Sequence, residues 1–182
     1  ELFDQLYTSW GSLEKFQRTR GVLRLMAQAI HELWMNADPS VMIMPGSVAV
    51  SSPRVEPELL HYLDVSWQSI IAGDVDGTAS TPYKVDQSAP NLNRYSATRR
   101  VARAIFMGTA PTHQQQNTGL DDKQINLGVV QPGERPAIFG DALRRLTNQA
   151  KFMHADLGRY WYSMSASLNR IAADKAAQIE TA

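Results

Sequence analysis

Arg20, Arg24 and His31 stand four and seven residues apart in a segment whose apolar residues repeat with the period of a helix. Val22, Leu25, Met26, Ala29, Ile30, Leu33 and Trp34 follow three-and-four spacing, which predicts an amphipathic helix over 18–34 with these seven side chains on the buried face. Arg20, Arg24 and His31 then share the opposite face. Guanidinium groups one turn apart repel each other, so the pair is best explained by a nearby anion: a phosphate-bearing ligand, or an Asp or Glu elsewhere in the fold. Arg99, Arg100 and Arg103 form a second cluster, in the first two turns of a helix starting at Ser96 that sends Val101, Ile105 and Phe106 inward. Cations at that end oppose the helix dipole and suggest an acidic neighbour, although surface salt bridges are the commoner explanation of such a cluster. A third group comprises Arg144 and Arg145 on a later helix and Arg159 beside Trp161. Residues of this kind contact DNA phosphates or dock a protein partner.

Several chemistries are excluded by what the chain does not contain. No Gly-rich loop ends in Gly-Lys-Ser or Gly-Lys-Thr, so the chain is not by itself an ATPase of the phosphate-cradling kind. His31, His61, His113 and His154 lie far apart and none belongs to a His-Glu-x-x-His pattern, so no metal site is expected. No Gly-x-Ser-x-Gly elbow marks a nucleophile, and no catalytic residue is assigned. There is no cysteine, hence no disulfide or thiolate ligand. The 182 residues carry 18 Lys plus Arg against 18 Asp plus Glu, so any nucleic-acid contact must come from a local patch rather than from net charge. Neither a long apolar run nor a basic-then-apolar leader is visible, which leads us to expect a cytoplasmic protein without a membrane partner. Glu1 begins inside a helix-like run, Glu-Leu-Phe-Asp-Gln-Leu-Tyr, and the chain is therefore expected to be a piece of a longer protein.

The elements that would position these groups are mostly helical. Leu2, Leu6 and Tyr7 suggest a short first helix, with Ser12 capping a second through Leu13 and Phe16. Asn36-Ala-Asp-Pro39 ends the long helix, and Val41–Pro45 reads as a short extended segment. Pro57 starts another helix through Leu60, Leu63, Trp67, Ile70 and Ile71, up to Gly73. Residues 77–95, rich in Ser, Thr, Pro and Asn, read as a long connecting loop. Thr109–Gly119, with Gln114–Gln116, reads as a polar loop, Leu120–Val129 as one or two helical turns and Gln131-Pro-Gly133 as a turn. A helix over Phe139–Leu146 is followed by a hairpin: Phe152–His154, a turn at Asp156–Gly158, and Tyr160–Tyr162 returning. Helix followed by hairpin is the ending of a winged helix. A final helix capped by Ser165 or Ser167 would turn Leu168, Ile171 and Ala172 inward. The expected fold is mainly α, a helical lid-like subdomain (1–76), a linker (77–95) and a winged-helix-like module (96–182) with a small β-hairpin.

Gly21-Val-Leu-Arg24 ahead of a hydrophobic helix resembles the Gly-x-x-Arg pattern that opens the lid helix of AAA+ ATPases. Phe16–Ala27, Ile43-Met-Pro-Gly46, Arg99–Phe106 and Arg159–Tyr162 together resemble the region downstream of the Walker motifs in a family of large bacterial ATP-binding proteins. Those proteins, STAND-like in organisation, are encoded beside DNA methyltransferases and helicases in phage-defence islands, BREX-like systems among them. The resemblance covers essentially the whole chain. It implies a nucleotide-sensing and regulatory segment, with Arg24 as the sensor arginine that reaches the γ-phosphate and Arg20 as its neighbour. ATP and Mg²⁺ would belong to the parent protein and none would be bound by this chain alone. The partners implied are the ATPase core of the same parent chain, and DNA or other defence-system proteins. Two other readings remain beside it: a DNA-binding winged helix using Arg144, Arg145 and Arg159, and a structural interaction module whose contact surrounds Trp161.

Overall fold

A computed structural model describes Leu2, Leu6, Ser9, Trp10, Leu13, Phe16, residues 19–112 and 119–167, and Ile171. Expectations at Tyr7, Ser12, His113, Gln114–Gln116, Leu168 and Ala172 lie outside these residues. The long helix α1 spans Thr19–Met35 and is followed by a 3-10 turn at Pro45–Ser47. Val22, Leu25 and Ala29 of α1 are buried as expected, but Ile30 is 46% and Trp34 82% exposed. The inward stripe is therefore narrower than the apolar periodicity suggested. The core covers only one side of α1, and the spacing of apolar residues does not say which of two apolar stripes a neighbouring element will cover.

The helix expected from Pro57 to Ile71 is broken in two. Helix α2 is Val55–Leu60 and α3 is Trp67–Ile70, which runs into a π-helical turn, Ile71–Val75. Between them the Asp64 carboxylate accepts a hydrogen bond from the Ser66 amide at 2.8 Å, a local turn that competes with helical continuation.

Residues 77–95 hold two helices rather than a loop: α4, Thr81–Ser88, and α5, Pro90–Asn93. Ser80 caps α4 by accepting from the Tyr83 amide, and Pro82 and Pro90 sit in the first turns, where a missing N–H costs nothing. Terminal signals, not apolar periodicity, build this stretch.

Helix α6, Ala97–Thr109, is the axis of the molecule and is buried along most of its length. It packs against the Pro45–Ser47 turn, α4, and most of the elements that follow it. The turn comes so close that a Cβ on Gly46 would lie 2.8 Å from the Arg100 carbonyl oxygen, which restricts this position to glycine. After α6 come β1 (Leu120–Asp121), α7 (Asp122–Val129), α8 (Pro136–Gln149), β2 (Met153–Asp156) and β3 (Arg159–Tyr162). The strands form one antiparallel sheet in the order β1-β3-β2, with Leu120 opposite Tyr160 and His154 opposite Trp161. Helix, strand, helix, helix and hairpin in this sheet order make a winged-helix-like module, as the sequence predicted; the brief β1 is an addition, pairing along the free edge of β3. Among the described residues no helix is long and apolar enough to cross a membrane.

Asp74 ties this module to the helices before it. Its buried carboxylate accepts from the Thr81 hydroxyl at 2.9 Å and from the Phe152 amide at 2.6 Å, and the Tyr162 hydroxyl donates to its backbone carbonyl at 2.6 Å. Burial, with the Asp74 charge nearby, pushes the Tyr162 phenol well above its ordinary value.

Candidate functional site

The exposed face of α1 carries the arginines singled out by spacing. Arg24 donates from one Nη to the Glu58 carboxylate of α2 at 2.8 Å, yet its side chain is 59% exposed. Glu58 is nearly buried, and its other oxygen accepts from the Tyr62 hydroxyl at 2.9 Å. Burial and this bond to a carboxylate raise the Tyr62 phenol above its ordinary value. The Tyr62 ring meets Phe16 edge-on at 4.8 Å, and Phe16 packs directly on Gly21. Gly21, Phe16, Tyr62, Glu58 and Arg24 thus form a closed chain of contacts that begins and ends on the first turns of α1. One edge of the guanidinium is fixed by Glu58 on a side chain that stays largely exposed. Arg20, one turn earlier, is exposed on the same face. His31 lies further along that face, half-buried.

The second arginine cluster has found its acids. Arg103 meets Asp76 at 2.8 Å, Arg100 meets Glu134 at 2.8 Å, and Arg99 lies 3.5 Å from Asp86. Arg100 also donates to the Val129 carbonyl and lies 4.9 Å from the Phe139 ring centroid. These side chains and Arg94 line a cleft of about 530 Å³ between α6 and the end of α1. Three of the four cations are thereby neutralised within the fold, so the cleft holds the molecule together more than it offers free charge.

The same acids organise the start of α6. Ser96 occupies the cap position at φ 48° and makes no side-chain capping bond. Asp86 takes that role from α4, accepting from the Thr98 amide at 2.8 Å and the Arg99 amide at 3.2 Å. Burial raises the Asp86 carboxyl above its usual value even against those bonds. Burial pushes Asp76 upward as well, but Arg103, Gly77 and Ser51 outweigh it and hold that carboxyl below the usual range.

On the winged module, Arg144 and Arg145 are exposed on α8 and share one carboxylate, Asp141, at 2.5 and 2.9 Å. Their bonds to Asp141, that of Arg144 foremost, lower its pKa. Arg159 donates to the Gly119 carbonyl at 2.8 Å. Trp161 stacks on His154, with centroids 5.6 Å apart. These four residues do not meet Arg20 and Arg24: one group belongs to α1, the other to α8 and the hairpin. Among the described residues no three His, Asp or Glu side chains converge as metal ligands would.

Glu58 and Tyr62 were missed by sequence reasoning, because a carboxylate 34 residues from Arg24 gives no local signal. The one available cue was their own spacing, Glu58 and Tyr62 being four residues apart within the helix that the sequence predicted from Pro57. No family model, no curated protein and no solved structure matches the chain.

Proposed function

We propose that this chain is the nucleotide-sensing and regulatory region of an ATPase of the phage-defence type it resembles, with Arg24 as the sensing guanidinium and Arg20 beside it. The observation that supports the reading is the setting of Arg24: one Nη is held by Glu58, itself braced by Tyr62, while the Arg24 side chain as a whole is more than half exposed. A guanidinium oriented in this way is ready to meet a phosphoryl oxygen without a further ordering step. ATP and Mg²⁺ would be held by a separate core of the same protein, whose Walker motifs this chain lacks. Arg24 would stabilise charge on the transferred phosphoryl group, and its place on α1 would couple nucleotide state to movement of the lid-like helices. The winged module would be the regulatory part. Because Asp141 neutralises one of its two exposed helix arginines, a protein surface is the better partner for it than DNA.

The test is steady-state ATP turnover and ATP affinity of the whole protein. Arg24→Ala lowers turnover by about 10²-fold with affinity largely retained, the pattern of an interaction made mainly in the transition state. Unchanged turnover would contradict the reading.

A further inference from the structure

The cleft between α6 and the end of α1 has about 530 Å³ of space, within the roughly 300–1,000 Å³ of pockets that take small molecules. Its floor is short of hydrogen-bond acceptors. The ion pairs of Arg99, Arg100 and Arg103 settle their charge but not their donors: the Nε of each is buried and makes no hydrogen bond. Arg100 as a whole is only 9% exposed, so solvent does not make up the deficit there. The Nε–Nη edge of a guanidinium is one that a carboxylate takes with both its oxygens, once the side chain turns that edge toward it. Backbone strain falls at the same place. Ser96, in the lining, and Ala37, between the lining residues Asn36 and Asp38, have φ 48° and 47°, left-handed values that cost a non-glycine residue energy and collect at binding sites.

Charge narrows the ligand. Of the acids in the lining, Glu134 is held by Arg100 and Glu32 lies 3.7 Å from Arg54. Two charged groups of the lining have no ion-pair partner among the described residues: Arg94, which rests over the Tyr95 ring at 5.3 Å, and Asp38, which accepts from the Ser40 amide at 2.9 Å. They differ in sign, and Arg94 belongs to the α6 side of the cleft while Asp38 belongs to the α1 side. Leu33, Pro39 and Val41 add apolar surface next to Asp38. We propose that this cleft binds a small zwitterion with an apolar body, a free aliphatic amino acid or a short aliphatic peptide. Its carboxylate meets Arg94 and the acceptor-poor floor, and its ammonium meets Asp38. A ligand with one charge of each sign leaves the cleft neutral, as its internal pairs already are, whereas a phosphate dianion would add unmatched negative charge beside Glu32, Asp38 and Glu134. Such a ligand joins the end of α1 to the start of α6, and its binding does not depend on the role of Arg24.

The test is titration calorimetry of the whole protein with four probes: free leucine, the dipeptide leucyl-leucine, leucinamide, which lacks the carboxylate, and 4-methylpentanoate, which is leucine without its amine. The proposal predicts that leucine or leucyl-leucine binds at one site per chain, the tighter of the two telling amino acid from peptide, with leucinamide and 4-methylpentanoate weaker by at least about tenfold. Arg94→Gln and Asp38→Asn remove one charge each at exposed positions, and the asparagine keeps an acceptor for the Ser40 amide. Each variant should weaken the binding by at least about tenfold. No binding of leucine or leucyl-leucine up to about 10 mM overturns the proposal, as does affinity unchanged in either variant. So does 4-methylpentanoate binding as tightly as leucine, which would remove the role of Asp38, or inorganic phosphate binding more tightly than both zwitterions.

Discussion

A Cβ placed on Gly21 would lie 2.1 Å from the Phe16 carbonyl oxygen and 2.9 Å from its ring. No side chain fits there, and the backbone cannot yield without moving Phe16 off Tyr62. Gly21→Ala is therefore expected to cost about 2 kcal/mol or more, as overpacking does. Urea unfolding followed by circular dichroism checks this. Gly21→Ala should also loosen Arg24 through Tyr62 and Glu58, so any loss of turnover in that variant should be smaller than in Arg24→Ala.

Asp76 is the acid-sensitive joint of the fold. Its folded pKa lies below the unfolded one, so its pairing with Arg103 stabilises the protein above the unfolded value of about 3.9 and that stabilisation is lost as pH falls through the folded value. Asp76→Asn is expected to cost about 3 kcal/mol near neutrality, because it leaves Arg103 without its counter-charge in a mostly buried position. The cost should shrink toward pH 3. Urea midpoints of wild type and variant across the acid range give the comparison.

Asp86 has the opposite sign. Its folded pKa is raised, so its contribution is complete below the unfolded value and declines as pH rises through the folded one. Asp86→Asn should therefore cost most at the acid end and less at neutral pH, and Asp86→Ala, which abolishes the cap on α6, should follow the same pH trend with a cost about 1–2 kcal/mol larger at each pH. A cost for Asp86→Asn that rises with pH would contradict the assignment.

Leu157, at the hairpin tip, has φ 46° and is 95% exposed, and Gly158 follows at φ 73°. Two successive positive φ values are what a two-residue hairpin turn of the Asn-Gly type requires, and leucine is poorly suited to the first. Leu157→Asn should stabilise the protein by about 0.5–1 kcal/mol, seen as a higher Tm. If the exposed leucine instead engages the regulatory partner of the wing, the same variant should weaken that contact while raising Tm.

DNA contact by the wing would show itself in salt dependence. The triple variant Arg144→Ala, Arg145→Ala, Arg159→Ala should leave any DNA affinity of the whole protein, and its change between about 50 and 200 mM salt, as in wild type. A salt slope reduced by about two or three would place DNA phosphates on these side chains.

The long helix, the helix before the hairpin, and the hairpin itself were legible in the sequence, because apolar period, proline stops and turn residues agree there. Helices α4 and α5 were not, since neither is long enough to show a period and both depend on Ser80, Pro82 and Pro90. The break at Asp64 was hidden behind continuous three-and-four spacing from Leu60 to Ile71. Ile30 and Trp34 were expected inside and lie outside, because spacing shows that a face is apolar and not which body covers it. The cost of cations at a helix N-terminus hinted at acids beside Arg99, Arg100 and Arg103, but surface pairing was the commoner expectation, and the largely buried Asp76, Asp86 and Glu134 lie too far along the chain to be matched without the fold.

The most direct test of the account compares Arg24→Ala with Glu58→Gln in one ATP-turnover assay of the whole protein. If Arg24 acts on phosphate and Glu58 only holds it in place, Arg24→Ala loses about 10²-fold in kcat, while Glu58→Gln, which keeps the guanidinium but weakens its support, loses several-fold. Turnover unchanged in both variants, with each still folded, would contradict the claim that Arg24 senses nucleotide.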